Sequence, residues 1–329
     1  MVLHRLGCHP ASYRQRIAFR PPARAQGTSS PSSTLNDNPL VASDLAEYRK
    51  TFGLPKAHFR KYNQDGQQSN YPQGSYAWGV EIDLDVEMVS ASCPNCSIFL
   101  IEANSVGWSD LEAAETMAVA LGAHIVSNSY TGGGADQNYY DTKGVTYLAS
   151  AGDGGFEYAI GDPADFGSVV SVGGTTLSRA RQKARGWNET VWSNSGAGCP
   201  HQTKPAWQHD PGCAYRTMND VSAVADPATG VAEYDTYNSG YGDWFIAGGT
   251  SIGSPLLAGI FGLAGNAAQQ DGGKTFWATK HEIKQDLFVI SSGSDGSCSP
   301  RYLCTAGTNE YGNYSGPAGW GTPNGIGAF

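Results

Sequence analysis

A serine in a glycine-rich turn and three carboxylates carry most of the chemistry that this chain can offer. Gly248-Gly249-Thr250-Ser251-Ile252-Gly253-Ser254-Pro255 reads as a sharp turn running into a buried, small-residue helix. A serine at such a junction exposes its hydroxyl and keeps its own backbone N–H free at a helix N-terminus, the geometry of a nucleophile beside half an oxyanion hole. Alone, the same motif reads as an N-cap serine. A serine hydroxyl is a weak nucleophile and needs an adjacent base. None of the seven histidines (His4, His9, His58, His124, His201, His209, His281) is followed by glycine, so a histidine base in an H-G-T setting is unsupported. Glu81 and Asp85 lie four residues apart on one expected helix, so their carboxylates share a face and can share a proton. Two like charges held together raise the pKa of one member, which turns a carboxyl into a usable base and acid. By itself an i,i+4 acid pair is solvated surface. Asp83 and Glu87 are expected to point elsewhere, and Val80, Leu84, Met88 and Ala91 mark the apolar stripe holding this helix to the core. The third carboxylate stands in Ala151-Gly152-Asp153-Gly154-Gly155, after the apolar strand T-Y-L-A-S. An aspartate there can donate to an oxyanion only when protonated; alone it is a turn aspartate.

The elements that must position these groups alternate between helix and strand in the way that builds a parallel sheet covered on both faces. N-P-L-V-A-S-D-L-A-E-Y-R-K-T-F-G-L-P is a capped helix ended by Gly-Leu-Pro, and W-G-V-E-I-D-L-D-V-E-M-V-S-A-S-C-P an amphipathic helix stopped at Cys93-Pro94. S-I-F-L-I-E-A-N is an apolar run of strand length. A helix from N-cap Ser109 to Gly122 and the strand A-H-I-V-S-N-S-Y follow. V-T-Y-L-A-S and S-V-V-S-V-G-G-T-T-L are two more strands, and residues 186–247, rich in Trp, Gly, Pro and Asn, are expected to form surface loops and hairpins. No internal repeat and no linker divides residues 36–329, so the fold class is α/β with a single catalytic domain.

Composition bounds the function. The 329 residues are 40% hydrophobic and only 16% charged, with 43 Gly and 17 Pro, which suits a loop-rich globular enzyme. A net charge of −9 argues against a nucleic-acid partner, and no run of 18 apolar residues suggests a membrane span. Residues 1–35 carry five arginines and no acid, leaving 16 basic and 30 acidic groups on residues 36–329, net −14. This leader reads as disordered or as translated out of frame. Under one choice of codons T-S-S-P-S-S-T, residues 28–34, read from the third base gives V-V-A-I-V-D, a sequence for a buried parallel strand. No signal peptide is recognisable. The cysteines fall as Cys8 alone, Cys93 with Cys96, Cys199 with Cys213 and Cys298 with Cys304. Three short-range pairs suggest local disulfides in a secreted protein. Free thiols, or a redox or zinc knuckle at Cys93–Cys96, are the alternatives.

Taken together, E-I-D-L-D at 81–85, S-A-G-D-G-G at 150–155, V-G-G-T-T-L at 172–177, D-V-S-A-V-A-D-P-A-T-G at 220–230 and G-G-T-S-I-G-S-P at 248–255 resemble the sedolisin family, the serine-carboxyl peptidases, over residues 36–329. The resemblance implies a subtilisin-like α/β fold and acid-pH endopeptidase activity on polypeptide substrates by a monomer. By position it makes Glu81 the general base, Asp85 its partner, Asp153 the oxyanion donor and Ser251 the nucleophile. Ser127-Asn128-Ser129-Tyr130 resembles the strand lining the substrate cleft. The family's calcium site is matched in Asp286-Leu287, but Ser315, in Asn313-Tyr314-Ser315, stands where a carboxylate is expected, which should weaken calcium binding. No prodomain is recognised, and the first core strand is absent or replaced. The alternative function is an inactive or truncated homologue acting as a secreted binding or scaffold protein.

Overall fold

The computed structural model describes the backbone of residues 16–20 and then residues 37–329, except Ala159, Ala184, 238–242 and 279–282. Strand β1 (Arg16–Arg20) is followed by α1 (Val41–Thr51), β2 (His58–Asn63), α2 (Tyr76–Ser92), β3 (Ser97–Glu102), α3 (Trp108–Ala120), β4 (Ile125–Asn128), β5 (Thr146–Ser150) and β6 (Val169–Arg179). Then come β7 (Trp187–Val191), β8 (Val221–Val224), β9 (Val231–Tyr234), β10 (Trp244–Ala247), α4 (Gly253–Ala264), α5 (Lys274–Ala278), α6 (Ile283–Asp286), β11 (Leu287–Phe288) and β12 (Thr322–Pro323).

Among the described residues the main sheet has the order β2-β3-β1-β4-β5-β6-β7, with β8 also paired to β6. All of its pairings are parallel except that of β7 with the far half of β6. Parallel strands linked by helices have both faces covered, so apolar residues at successive positions must serve two cores. In β3, Ile98 and Leu100 join the core under α2 and α4, whereas Phe99 and Ile101 join the one under α3. β4 divides in the same way, Ile125 to the first and Val126 to the second.

The central place between β3 and β4 is taken by Arg16–Arg20, with Ile17 opposite Ile98 and Ile125. This part of the expected leader is therefore a strand of the sheet and not a disordered segment; residues 28–34, the expected place of a frame-shifted strand, lie outside the described residues, as does Cys8.

Helix α2 differs from expectation in its surroundings. Ile82, Val86 and Val89 pack into the main core, and Leu84 and Met88 into a second cluster with Ala247 and Ile252. The helix is therefore covered on two sides. Asp83 and Glu87, expected to point elsewhere, are wholly buried. Against its C-terminal end runs α4, so close that a Cβ on Gly259 would lie 1.9 Å from Ser92 Oγ; only glycine fits there.

Cys93–Cys96, Cys199–Cys213 and Cys298–Cys304 are disulfide-bonded. No helix among the described residues is long and apolar enough to cross a membrane.

Candidate active site

Open parallel sheets gather their ligands outside the carboxyl ends of the strands. Three segments meet there: the ends of β4 and β5 and the turn that follows β10. In that turn Gly249 has φ +113°, a conformation that side chains with a Cβ rarely adopt, and a Cβ at this position would also lie 2.8 Å from Asp153 Oδ2. Thr250–Ile252 is a single 3-10 turn leading straight into α4, so Ser251 stands at a helix entrance and is half-buried.

Two sets of hydrogen bonds hold this turn. On one side, Asp153 Oδ1 accepts from the Thr250 N–H (2.8 Å) and hydroxyl (2.9 Å), while Thr250 Oγ1 accepts the Gly152 N–H (3.0 Å). The Gly152-Asp153 turn after β5 is thereby stapled to the residue next to Ser251. On the other side, the Ser129 hydroxyl lies 2.6 Å from Asp85 Oδ1 and 3.3 Å from the Ser251 carbonyl. A hydroxyl so placed links the acidic helix to the serine turn. Ser127 Oγ meets Ser254 Oγ at 2.8 Å, tying β4 to the first turn of α4.

Asp85 is 1% exposed. Its carboxyl titrates well above the usual range, first because it is buried and then because Glu81 stands beside it, with Ser129 acting against both. The chain thus brings Asp85, Ser129, Ser251, Thr250 and Asp153 into one place, with Glu81 one turn before Asp85 and partly exposed.

The four residues expected to line the cleft share one state. Ser127, Asn128, Ser129 and Tyr130 are all buried, with Asn128 Oδ1 accepting from the Tyr130 hydroxyl at 3.0 Å. A cavity of about 470 Å³ is lined by Thr131 to Ala135, Ile160 to Asp162, His201 and Gln202. Asp162 fixes its glycine wall by accepting the N–H groups of Gly134 (2.7 Å) and Ala135 (3.0 Å).

Sequence reasoning missed Ser129 as a link, Thr250 as a staple, and the burial of Asp83, Glu87 and Glu233 in and around α2. A polar residue every second position along 81–87 is a signal of the last, since a helix with one solvated face concentrates its acids there. Asp220, in one of the quoted motifs, is a structural group: it accepts from Arg216 (2.6 Å), Trp277 (2.8 Å) and the Ser171 N–H (2.9 Å).

For calcium, the Asp286 carbonyl is already taken by the Asn324 N–H (2.8 Å), Gly327 lies against the Asp286 carboxylate, and Leu287 is buried at the start of β11. Ser315 is buried and its neutral hydroxyl finds no partner. One carboxylate and one hydroxyl are a poor set for a cation that takes six to eight oxygens, so these residues do not fit calcium well.

With this geometry in view, comparison with known proteins gives a consistent answer. Residues 70–321 match the subtilase family model. The chain is 24% identical over 325 residues to sedolisin of Pseudomonas sp. (strain 101), covering 85% of this chain and 53% of that protein. It is 29% identical over 259 residues to kumamolisin of Bacillus sp. (strain MN-32), covering 66% of this chain and 45% of that one. The chain spans about half the length of these curated relatives. Among solved structures, Pseudomonas sedolisin, described as a serine-carboxyl proteinase complexed with two molecules of pseudo-iodotyrostatin, superposes with a TM-score of 0.72 at 23% identity, over 94% of this chain and 89% of that one. A protease described as S41 Psychrophilic Protease does so at 0.56 and 14% identity, over 94% and 91% of the two chains. The chain therefore belongs to the subtilase family, where its relatives are peptidases of the sedolisin type.

Proposed function

We propose that this protein is a serine-carboxyl endopeptidase, secreted and active in acid, with Ser251 as nucleophile. Ser251 Oγ attacks the scissile carbonyl carbon and gives its proton to Glu81, whose basicity is set by Asp85. The oxyanion that forms is met by the Ser251 N–H and by Asp153 as a neutral carboxylic acid. Collapse expels the amine, which takes the proton from Glu81, and leaves an acyl-enzyme that water hydrolyses by the same steps in reverse. In this reading the peptidase domain is 36–329 together with strand β1 (Arg16–Arg20), which the main sheet takes into its middle, and the 131–135 wall receives substrate. The observation that carries it is the double attachment of the serine turn, to Asp85 through Ser129 and to Asp153 through Thr250.

The chemistry makes an acid window. Glu81 must be ionised while Asp153 is not, which puts the optimum at roughly pH 3 to 5. The test is a pH profile on a denatured protein substrate for wild type, Ser251→Ala and Asp153→Asn. Ser251→Ala should lose activity by a factor on the order of 10⁶, and Asp153→Asn, whose amide never ionises, should move the alkaline limb upward. An optimum near pH 8, or activity retained by Ser251→Ala above about a hundredth of wild type, overturns the reading.

A further inference from the structure

β9 and β10 form a hairpin that lies against α2, and its second strand runs directly into the Gly248–Ser251 turn. The hairpin's address on α2 is set by the Tyr234 N–H, which donates to Glu87 Oε2 at 3.2 Å. One residue earlier, and paired in register with Phe245 on β10, is Glu233. Its side chain is wholly buried, and neither carboxylate oxygen meets a hydrogen-bond donor.

The groups whose charges Glu233 feels or shares come from three elements. α2 brings Glu81, Asp83, Asp85 and Glu87; the end of the hairpin brings Asp235; α1 brings Asp44 and the phenol of Tyr48. Asp44, Asp83 and Asp235 each place an oxygen within 4.8 Å of the others. Among the described residues no Lys, Arg or His forms an ion pair with Asp44, Asp83, Asp85, Glu87 or Glu233. Some of their oxygens are satisfied: Asp83 Oδ2 accepts from Asn38 (2.6 Å), and Asp44 from the Thr236 N–H and hydroxyl. Others, namely Asp83 Oδ1, Asp85 Oδ2, Glu87 Oε1 and both oxygens of Glu233, are buried acceptors without a donor.

A buried carboxylate without a donor or counter-charge is costly and neutralises instead. Once protonated, a carboxyl is itself a donor, and its neighbour's orphan oxygen is the acceptor it lacks. Burial, and then the charge of the neighbouring acids, pushes Asp83, Glu87 and Glu233 well above the usual carboxyl range. Protons therefore take the place that lysines or backbone donors occupy elsewhere.

We propose that Glu233 is a positioning residue, a buried carboxylic acid that clamps the β9–β10 hairpin to α2 through shared protons and so holds the Ser251 turn against Glu81 and Asp85. It acts through the hairpin, not on substrate, and as a catalytic device it rests on the function proposed above. When pH rises and the acids of this group ionise, they repel one another, the hairpin lifts, and the strand feeding Ser251 loses its seat.

Glu233→Gln keeps a donor and removes the charge. It should keep kcat at pH 4 within about threefold of wild type with KM unchanged, and shift the pH at which Tm falls upward by about one unit. Asp83→Asn, a second variant on the opposing helix, should shift it in the same direction. Tm is also measured in the Ser251→Ala background, which needs no catalysis. A wild type without proteolysis at any pH sinks the functional reading alone, while the melting curves still judge the clamp. In the wild type, amides of Val231–Tyr234 and Trp244–Ala247 should lose exchange protection between pH 4 and 7 before those of β3 to β5, a readout available even if neither variant folds. The clamp is overturned if both variants follow the wild-type pH dependence of Tm. It is equally overturned if the hairpin amides open together with the sheet, or if millimolar calcium at pH 7 restores the acid-pH Tm, which would make a cation and not protons the tie.

Discussion

Ser129 sits where one hydroxyl can reach both Asp85 Oδ1 and the Ser251 carbonyl, so its removal tests how much of the proposed catalytic geometry depends on that link. A hydrogen bond between neutral groups contributes about 0.5–1.5 kcal/mol. With the buried Asp85 carboxyl held protonated at pH 4, Ser129→Ala should lower kcat by roughly 2- to 10-fold. It should also raise the Asp85 titration further, since the hydroxyl opposes the effect of burial. A steady-state comparison with wild type at pH 4, with circular dichroism to confirm the fold, decides it; an unchanged kcat would leave Ser129 a packing residue only. Glu81 and Asp85 were legible in the sequence because i,i+4 spacing is a local rule. The role of Ser129 was not, since its partner is 44 residues away and S-N-S-Y says only that the segment is a strand end. Asp83 and Glu87 were misread for the same reason: Asp83 meets Asn38, 45 residues earlier, and Glu87 meets a hairpin residue, Tyr234, 147 residues later, and no local pattern announces either.

At the scale of elements, the staple between two turns carries the argument. Thr250 receives the Gly152 N–H and donates to Asp153, so Thr250→Val is nearly isosteric but leaves a backbone donor and a carboxylate short of partners. The expected cost is about 1–3 kcal/mol, read as a lower denaturant midpoint, with a larger loss in kcat than in KM because the Ser251 turn is the segment released. A midpoint unchanged from wild type would mean that water replaces the staple. Most of the elements were legible: α1, α2, α3, α4 and β3 to β6 follow from apolar periodicity, Gly-rich stops and Cys93-Pro94. β2 was not, because H-F-R-K-Y-N is an edge strand, buried only at its last two residues, and its charged beginning carries no strand signal. Helix α3 starts at Trp108, after Gly107, in place of the expected Ser109 cap, an ordinary shift at a helix end.

For the whole molecule, the unusual feature is the number of acids folded away from water. Burial raises Asp235 to about 6, Asp165 and Asp295 to about 8, and Glu102 to about 9. Each binds its proton more tightly folded than unfolded, so each contributes stability that is fully present below the unfolded value of about 4 and lost as pH rises through the folded value. Unfolding free energy should therefore be greatest in acid and decline from about pH 4 to pH 9, the reverse of the usual acid denaturation. Urea midpoints across that range will show it, and a flat or rising profile would contradict the burial of these acids. Lys61 and Glu102, 3.5 Å apart, limit the decline, since a neighbouring cation favours the ionised form.

The place of β1 has a consequence in time. Its partners are Ser97–Leu100 on one side and Ile125–Asn128 on the other, so the middle of the sheet is made by a segment that precedes one partner by 81 residues (Arg16 to Ser97) and the other by 108 (Ile17 to Ile125). Until it pairs, β3 and β4 have no strand between them, and the two halves of the sheet can form without being joined. Contacts between such distant parts of a chain are slow to find, so insertion of β1 is expected to be the late step that joins two partly formed halves into one sheet.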